Sequence, residues 1–179
     1  MTSIKLHPGN AFPVIKVADE TGTFRDLSRP AQGLDWIMVV VYRGQHCPLC
    51  TRYLNALASH RDELAEIGVD LVAVSGDSAD QLARHREQLD VGFPLYHSLQ
   101  PAQMQQLGVY ISEPRSKQET DHPFSEPALF VVNESGQLHV ADVSNNPFVR
   151  PDIPTLVRGL RWIRNPENNY PIRGARRYA

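Results

Sequence analysis

The chain has 179 residues, is 41% hydrophobic and carries a formal net charge of -2. That length suits one domain with a sizeable core, read here as 1–179, with an N-terminal extension over 1–34 and a tail over 165–179. The weak charge excludes the strongly basic surface that nucleic acid selects, and no uninterrupted apolar run reaches membrane length.

Taken in order, Phe12, Val14 and Val17 are expected on one strand, and Asp19 to Gly22 (DETG) turns the chain before Phe24, so an N-terminal β-hairpin is predicted. Ile37 to Val41 form an unbroken apolar run, the mark of a strand buried on both faces. Leu54, Leu57, Ala58, Leu64 and Ala65 then keep one face of a helix apolar until Gly68 stops it. Leu71 to Val74 give a second buried strand, Ser75 to Asp77 a turn, and Leu82 and Leu89 a polar helix. This strand–helix alternation predicts parallel pairing with right-handed crossovers, hence an α/β class.

Phe93 to Tyr96 suggest a short strand, and Pro101 to Leu107, closed by Gly108, a short helix. The segment from Ile111 to Ser125 mixes prolines and charges and reads as an exposed loop. Ala128 to Val132 is a further strand, turned by Asn133 to Gly136 into a return strand through Leu138, Val140 and Val143. Ile153, Leu156, Val157, Leu160 and Ile163 make a closing amphipathic helix with Asp152 as N-cap. The tail beyond Asn165 reads as solvated or docked on a neighbouring subunit.

The chemistry concentrates in Val41 to Cys50, VYRGQHCPLC, where a strand passes through a glycine turn into a helix. Cys47 and Cys50, the only cysteines, lie too close together to staple a secreted domain. At a helix start, unpaired N–H groups and the helix dipole favour thiolate over thiol. The spacing puts Cys47 on the exposed N-cap side and turns Cys50 inward, which makes Cys47 the expected nucleophile. Arg43 and His46 are expected to add positive potential, Arg52 being a further candidate; each also reads as an ordinary solvated side chain. With no leader pattern in the first residues, a reducing cytoplasm is the expected location.

A Cys-x-x-Cys at a strand-to-helix junction, a proline just before a later strand and a closing helix together resemble the thioredoxin fold over Asp35 to Arg164. The hairpin, with Leu95 to Val109 (LYHSLQPAQMQQLGV) and Ala128 to Gly136 (ALFVVNESG), further resembles the peroxiredoxins, the alkyl hydroperoxide reductase and thiol-specific antioxidant family. The resemblance implies a central mixed sheet flanked by helices and a peroxide-reducing thiol enzyme. It also implies a cellular thiol reductant such as thioredoxin or a low-molecular-weight thiol, with homodimerisation left open. Laid on this chain, the peroxiredoxin motif Pro-x-x-x-Thr-x-x-Cys falls on Arg43, Cys47 and Cys50, so only its cysteine matches. Thioredoxins make the first cysteine, Cys47, the attacker. The peroxiredoxin arginine of the later strand is replaced by Pro127, where thioredoxins carry a cis-proline, and Glu126 beside it is a candidate proton acceptor for Cys50.

Two alternatives follow from these departures: a thiol–disulfide oxidoreductase without peroxidase activity, and a redox-inactive binding module. Structural zinc is disfavoured because one cysteine pair and scattered histidines lack a second ligand pair. No cofactor or metal is otherwise implied.

Overall fold

The computed structural model describes residues 5–177. Seven strands form one mixed sheet in the order β2-β1-β5-β4-β3-β8-β9. At its centre β3 (Trp36–Val41) pairs in parallel with β4 (Val69–Val74) and antiparallel with β8 (Ala128–Val132). Every residue of β3 is buried. Strand geometry sends alternate side chains to opposite faces. Thus Met38, Val40 and Tyr42 join one apolar cluster with Leu54, Leu57, Val157 and Leu160, while Ile37, Val39 and Val41 join another with Phe12, Ile15, Met104 and Leu107. Helices therefore cover both faces, as an α/β sheet requires.

The hairpin forms from β1 (Lys16–Asp19) and β2 (Phe24–Asp26), and β1 pairs with β5 (Leu95–His97) at the sheet's edge. It starts later than expected: Val14 is 64% exposed and lies outside the strand, following Pro13, which has no N–H to give a ladder. The helix after β3 is also divided. α1 (Pro48–Ala58) ends at Ser59, whose hydroxyl bonds the Ala56 carbonyl, and α2 (Arg61–Glu66) restarts with Asp62 and Glu63 in its first turn. α3 (Ala79–Arg86) begins in a Ser78–Gln81 capping box, and α4 (Pro101–Leu107) ends on left-handed Gly108.

The stretch expected as an exposed loop contains a short ladder of β6 (Ile111–Ser112) and β7 (Phe124–Ser125), with Thr120, Phe124 and Ser125 buried. β9 (Leu138–Val143) returns along β8 with a register shift at its start, and α5 (Ile153–Arg164) is capped by Asp152, which accepts the Thr155 N–H at 3.0 Å. The tail turns back on its own chain: Tyr170 packs edge-on against Trp162, and the Arg176 carbonyl lies 3.3 Å from a ring nitrogen of His7.

Candidate active site

The parallel pair β3 and β4 brings two loops to the same end of the sheet. After Tyr42, whose N–H still reaches the Val74 carbonyl at 3.0 Å, the chain turns through Arg43 to His46 and enters α1 at Cys47. Cys47 is the N-cap, in extended conformation, and its sulfur accepts the Cys50 N–H at 3.2 Å. Pro48 follows as the first helical residue, where a missing N–H is harmless. No acidic residue occupies the first turn to compete for the helix's positive end.

The expected exposure of Cys47 does not hold: its relative accessibility is 1%, and that of Cys50 is 0%. Both sulfurs are free thiols. A hydrogen bond from Cys50, outweighing burial, lowers the Cys47 value to about 6, with Arg150 and Arg43 helping. Burial, then the hydrogen bond to Cys47, pushes the Cys50 thiol far up. The arrangement favours ionisation of Cys47 over Cys50.

Arg150 supplies the nearest cation, and sequence reasoning missed it. It stands in the loop before α5, and its Nη2 lies 2.9 Å from the Cys50 sulfur and 4.0 Å from that of Cys47. The guanidinium sits over the Tyr53 ring at 5.1 Å and donates from Nε to the Pro147 carbonyl at 3.1 Å. Tyr53 in turn donates to the Pro151 carbonyl at 2.9 Å, tying the loop to α1. Among the described residues, no carboxylate lies within ion-pair distance of Arg150. Its one sequence signal was an arginine beside a proline just ahead of a helix cap.

The other expected site residues take different roles. Arg43 pairs with Glu126 at 3.3 Å and Glu119 at 3.7 Å, with Phe124 under its guanidinium, and its charge still helps lower the Cys47 value, as expected. Glu126, the candidate proton acceptor for Cys50, is buried, paired with Arg43 at 3.3 Å and bonded to Ser112 Oγ at 2.7 Å. His46 packs edge-on against Phe124, and burial, with Arg43 beside it, lowers its value, which disfavours the charged form. Arg52 is exposed on α1. Pro127 does precede β8, but no cis peptide bond occurs among the described residues. Its carbonyl is already taken by the Ser144 N–H at 2.9 Å, so that edge does not offer itself to a substrate. No group of three or more His, Cys, Asp or Glu side chains among the described residues is placed to hold a metal ion.

The AhpC/TSA family model matches residues 8–141, well over half of the chain. The chain belongs to the AhpC/TSA family. As a member it is an oxidoreductase. No curated protein matches it in sequence. Among solved structures it is similar to a cysteine-to-serine mutant of peroxiredoxin 6 from Arenicola marina, with TM-score 0.75 and 16% identity over 90% of this chain and 75% of that one. It is also similar to a peroxiredoxin-like protein from Aquifex aeolicus, with TM-score 0.72 and 15% identity over 88% of both chains. Peroxidoxin BcpB from Mycobacterium tuberculosis gives TM-score 0.69 and 20% identity over 88% of this chain and 98% of that one. Pro127 stands where the peroxiredoxin pattern has an arginine, while Arg150 brings a guanidinium within 2.9 Å of the Cys50 sulfur from another element.

Proposed function

We propose that this AhpC/TSA family protein reduces hydroperoxides with Cys47 as the attacking thiolate and Cys50 as its resolving partner. The observation that carries the reading is the Arg150 guanidinium set against a sulfur pair at a helix N-terminus, with no carboxylate among the described residues to neutralise it. Cys47 S⁻ attacks one peroxide oxygen, so an S–O bond forms as the O–O bond breaks, and Cys47 becomes a sulfenic acid. The departing alkoxide takes the Cys50 proton and leaves as an alcohol. The Cys50 thiolate so formed, 2.9 Å from Arg150, attacks the Cys47 sulfur; the disulfide closes and hydroxide leaves. A cellular thiol, thioredoxin or a low-molecular-weight thiol, returns the pair to the reduced state, and the two free cysteines fit a reducing cytoplasm.

Burial of both sulfurs supports a small oxidant over a protein disulfide, because the reduced pair offers almost no surface for another protein to reach. The loop from Asn145 to Pro151 must yield to admit it. Within it the Phe148 N–H bonds Asn146 Oδ1 at 3.0 Å, and Tyr53 fastens its Pro151 end to α1. One contact favours the reverse order of sulfurs: Arg150 is nearer Cys50, the position on which the peroxiredoxin motif places its cysteine.

Rapid mixing of the reduced protein with hydrogen peroxide and cumene hydroperoxide, beside an insulin reduction assay, tests the proposal. Oxidation far faster than that of a free thiol, with weak insulin reduction, is expected. Peroxide oxidation no faster than a free thiol, with efficient insulin reduction, would replace the peroxidase by a disulfide exchanger.

A further inference from the structure

Behind the sulfur loop lies a charged pair that the reaction above does not use. Asp77, just after β4, is completely buried. Its Oδ2 accepts the Gln45 N–H at 2.7 Å, and the Ser98 N–H donates to its carbonyl at 2.7 Å. Gly44 is pressed against the same carboxylate: with φ at +130° it has a backbone few side chains tolerate, and a Cβ there would collide with Asp77 Oδ1. One residue further on, the Gly44 carbonyl accepts the Cys47 N–H at 3.1 Å. Asp77 therefore grips the turn from which the Cys47 N-cap is hung.

Asp77 Oδ1 faces His122 Nε2 at 3.4 Å, off the line of a hydrogen bond. The other ring nitrogen, Nδ1, lies 3.0 Å from the Pro123 carbonyl, which can only accept, so Nδ1 carries a hydrogen. A neutral ring would then turn a lone pair towards a buried carboxylate. Only the imidazolium suits both neighbours. Asp121, 3.9 Å from Nε2, adds to the same side of the balance. Of the neighbouring cations, His46 is driven towards its neutral form, and Arg43 is engaged by Glu119 and Glu126. Tyr42 and His85, the other titratable groups packed near Asp77, are held neutral by burial. His122 is the cation left to balance Asp77.

We propose that the ion pair of His122 and Asp77 positions Cys47, fixing the Gly44–Gln45 turn while cancelling a buried carboxylate charge that would oppose the thiolate. The inference rests on the reading of Cys47 as the acidic sulfur. His122→Gln leaves Asp77 uncancelled and removes a cation. Asp77→Asn keeps an amide oxygen to accept the Gln45 N–H. With both changes the charge is absent but the turn is still held, so the two substitutions compensate rather than add.

The test is the pH midpoint of Cys47 alkylation by iodoacetamide, located by peptide mass spectrometry in the intact chain and its variants. His122→Gln is expected to raise the midpoint by roughly half a unit to one unit, a threefold to tenfold loss of thiolate on the acid side. The double variant is expected to return it to the wild-type value. A purely structural pair would make the double variant as bad as the worse single one, and that result would overturn the proposal. So would a His122→Gln midpoint equal to wild type. Alkylation needs no peroxide, so a chain inert to peroxides fails the reading above without touching this one. A Cys47 midpoint no lower than a free thiol would remove the premise of both.

Discussion

Two arginines flank α5, and each lies over an aromatic ring. At the helix's end Arg164 covers Trp36, donates from Nε to the Ile67 carbonyl at 2.8 Å and meets Asp35 at 2.7 Å. Ahead of the helix Arg150 covers Tyr53, but its charged partner is a pair of sulfurs rather than a carboxylate. Both side chains are half-buried, and they differ in what becomes of their charge. Arg164 is neutralised and fastens α5 to the start of β3 and the end of α2. Arg150 remains an uncommitted positive charge at the opposite end of the sheet, and there it can stabilise a thiolate and a charge-developing transition state.

The comparison breaks most visibly on exchanging the charges. Arg150→Met, which keeps much of the packing on Tyr53, is expected to slow oxidation by hydrogen peroxide by about 10²–10³, the usual cost of losing one preorganised donor. Stopped-flow fluorescence would measure it, with the thermal midpoint little changed. Arg164→Ala in the same assay should leave the rate intact.

The pH dependence sharpens the same contrast. Cys47 is an acid whose value is lowered, so its charge is present above about 6 and is lost as pH falls through that value. The oxidation rate should therefore level off above pH 7 and fall about tenfold for each unit well below 6. Arg150→Met should shift this profile upward and Arg164→Ala should not move it.

Stability reverses the ranking. Losing Arg164 leaves the Ile67 carbonyl unpaired and uncovers Trp36, a cost of about 1–3 kcal/mol. For a chain of this size each kcal/mol lowers the melting temperature by roughly 2–4 °C, measurable by scanning calorimetry. The smallest effect belongs to Phe148, which is 82% exposed although it lies two residues from Arg150. Phe148→Ser should stay within about 0.5 kcal/mol of wild type in the same calorimetry.

The frame was legible because its signals are local. Ile37 to Val41 announced a strand buried on both faces, Gly108 a left-handed helix end and Asp152 a cap, and all three are as read. The division of α1 from α2 at Ser59 was not, because the apolar periodicity runs through the break while a serine hydroxyl ends the first helix. At the site, the Cys47 N-cap followed from spacing. Its burial did not, since Cys47 lies in an apolar cluster gathered from segments as distant as β4, β8 and α5. Arg150 and Asp77 were missed for the same reason: their partners are distant in sequence and meet only once β3, β4 and α5 are assembled. Arg43, His46 and Glu126 were singled out for nearness along the chain, yet each finds a partner off the sulfurs.

Dimedone trapping decides which sulfur meets the peroxide first. The reduced Cys47→Ser and Cys50→Ser variants are mixed with one equivalent of hydrogen peroxide for under a second, then trapped and read by mass spectrometry. The account predicts rapid sulfenic acid on Cys47 in the Cys50→Ser variant and slow, free-thiol-like oxidation of Cys50 in the other. Rapid trapping on Cys50 with an inert Cys47 would contradict it and give the leading role to the sulfur nearest Arg150.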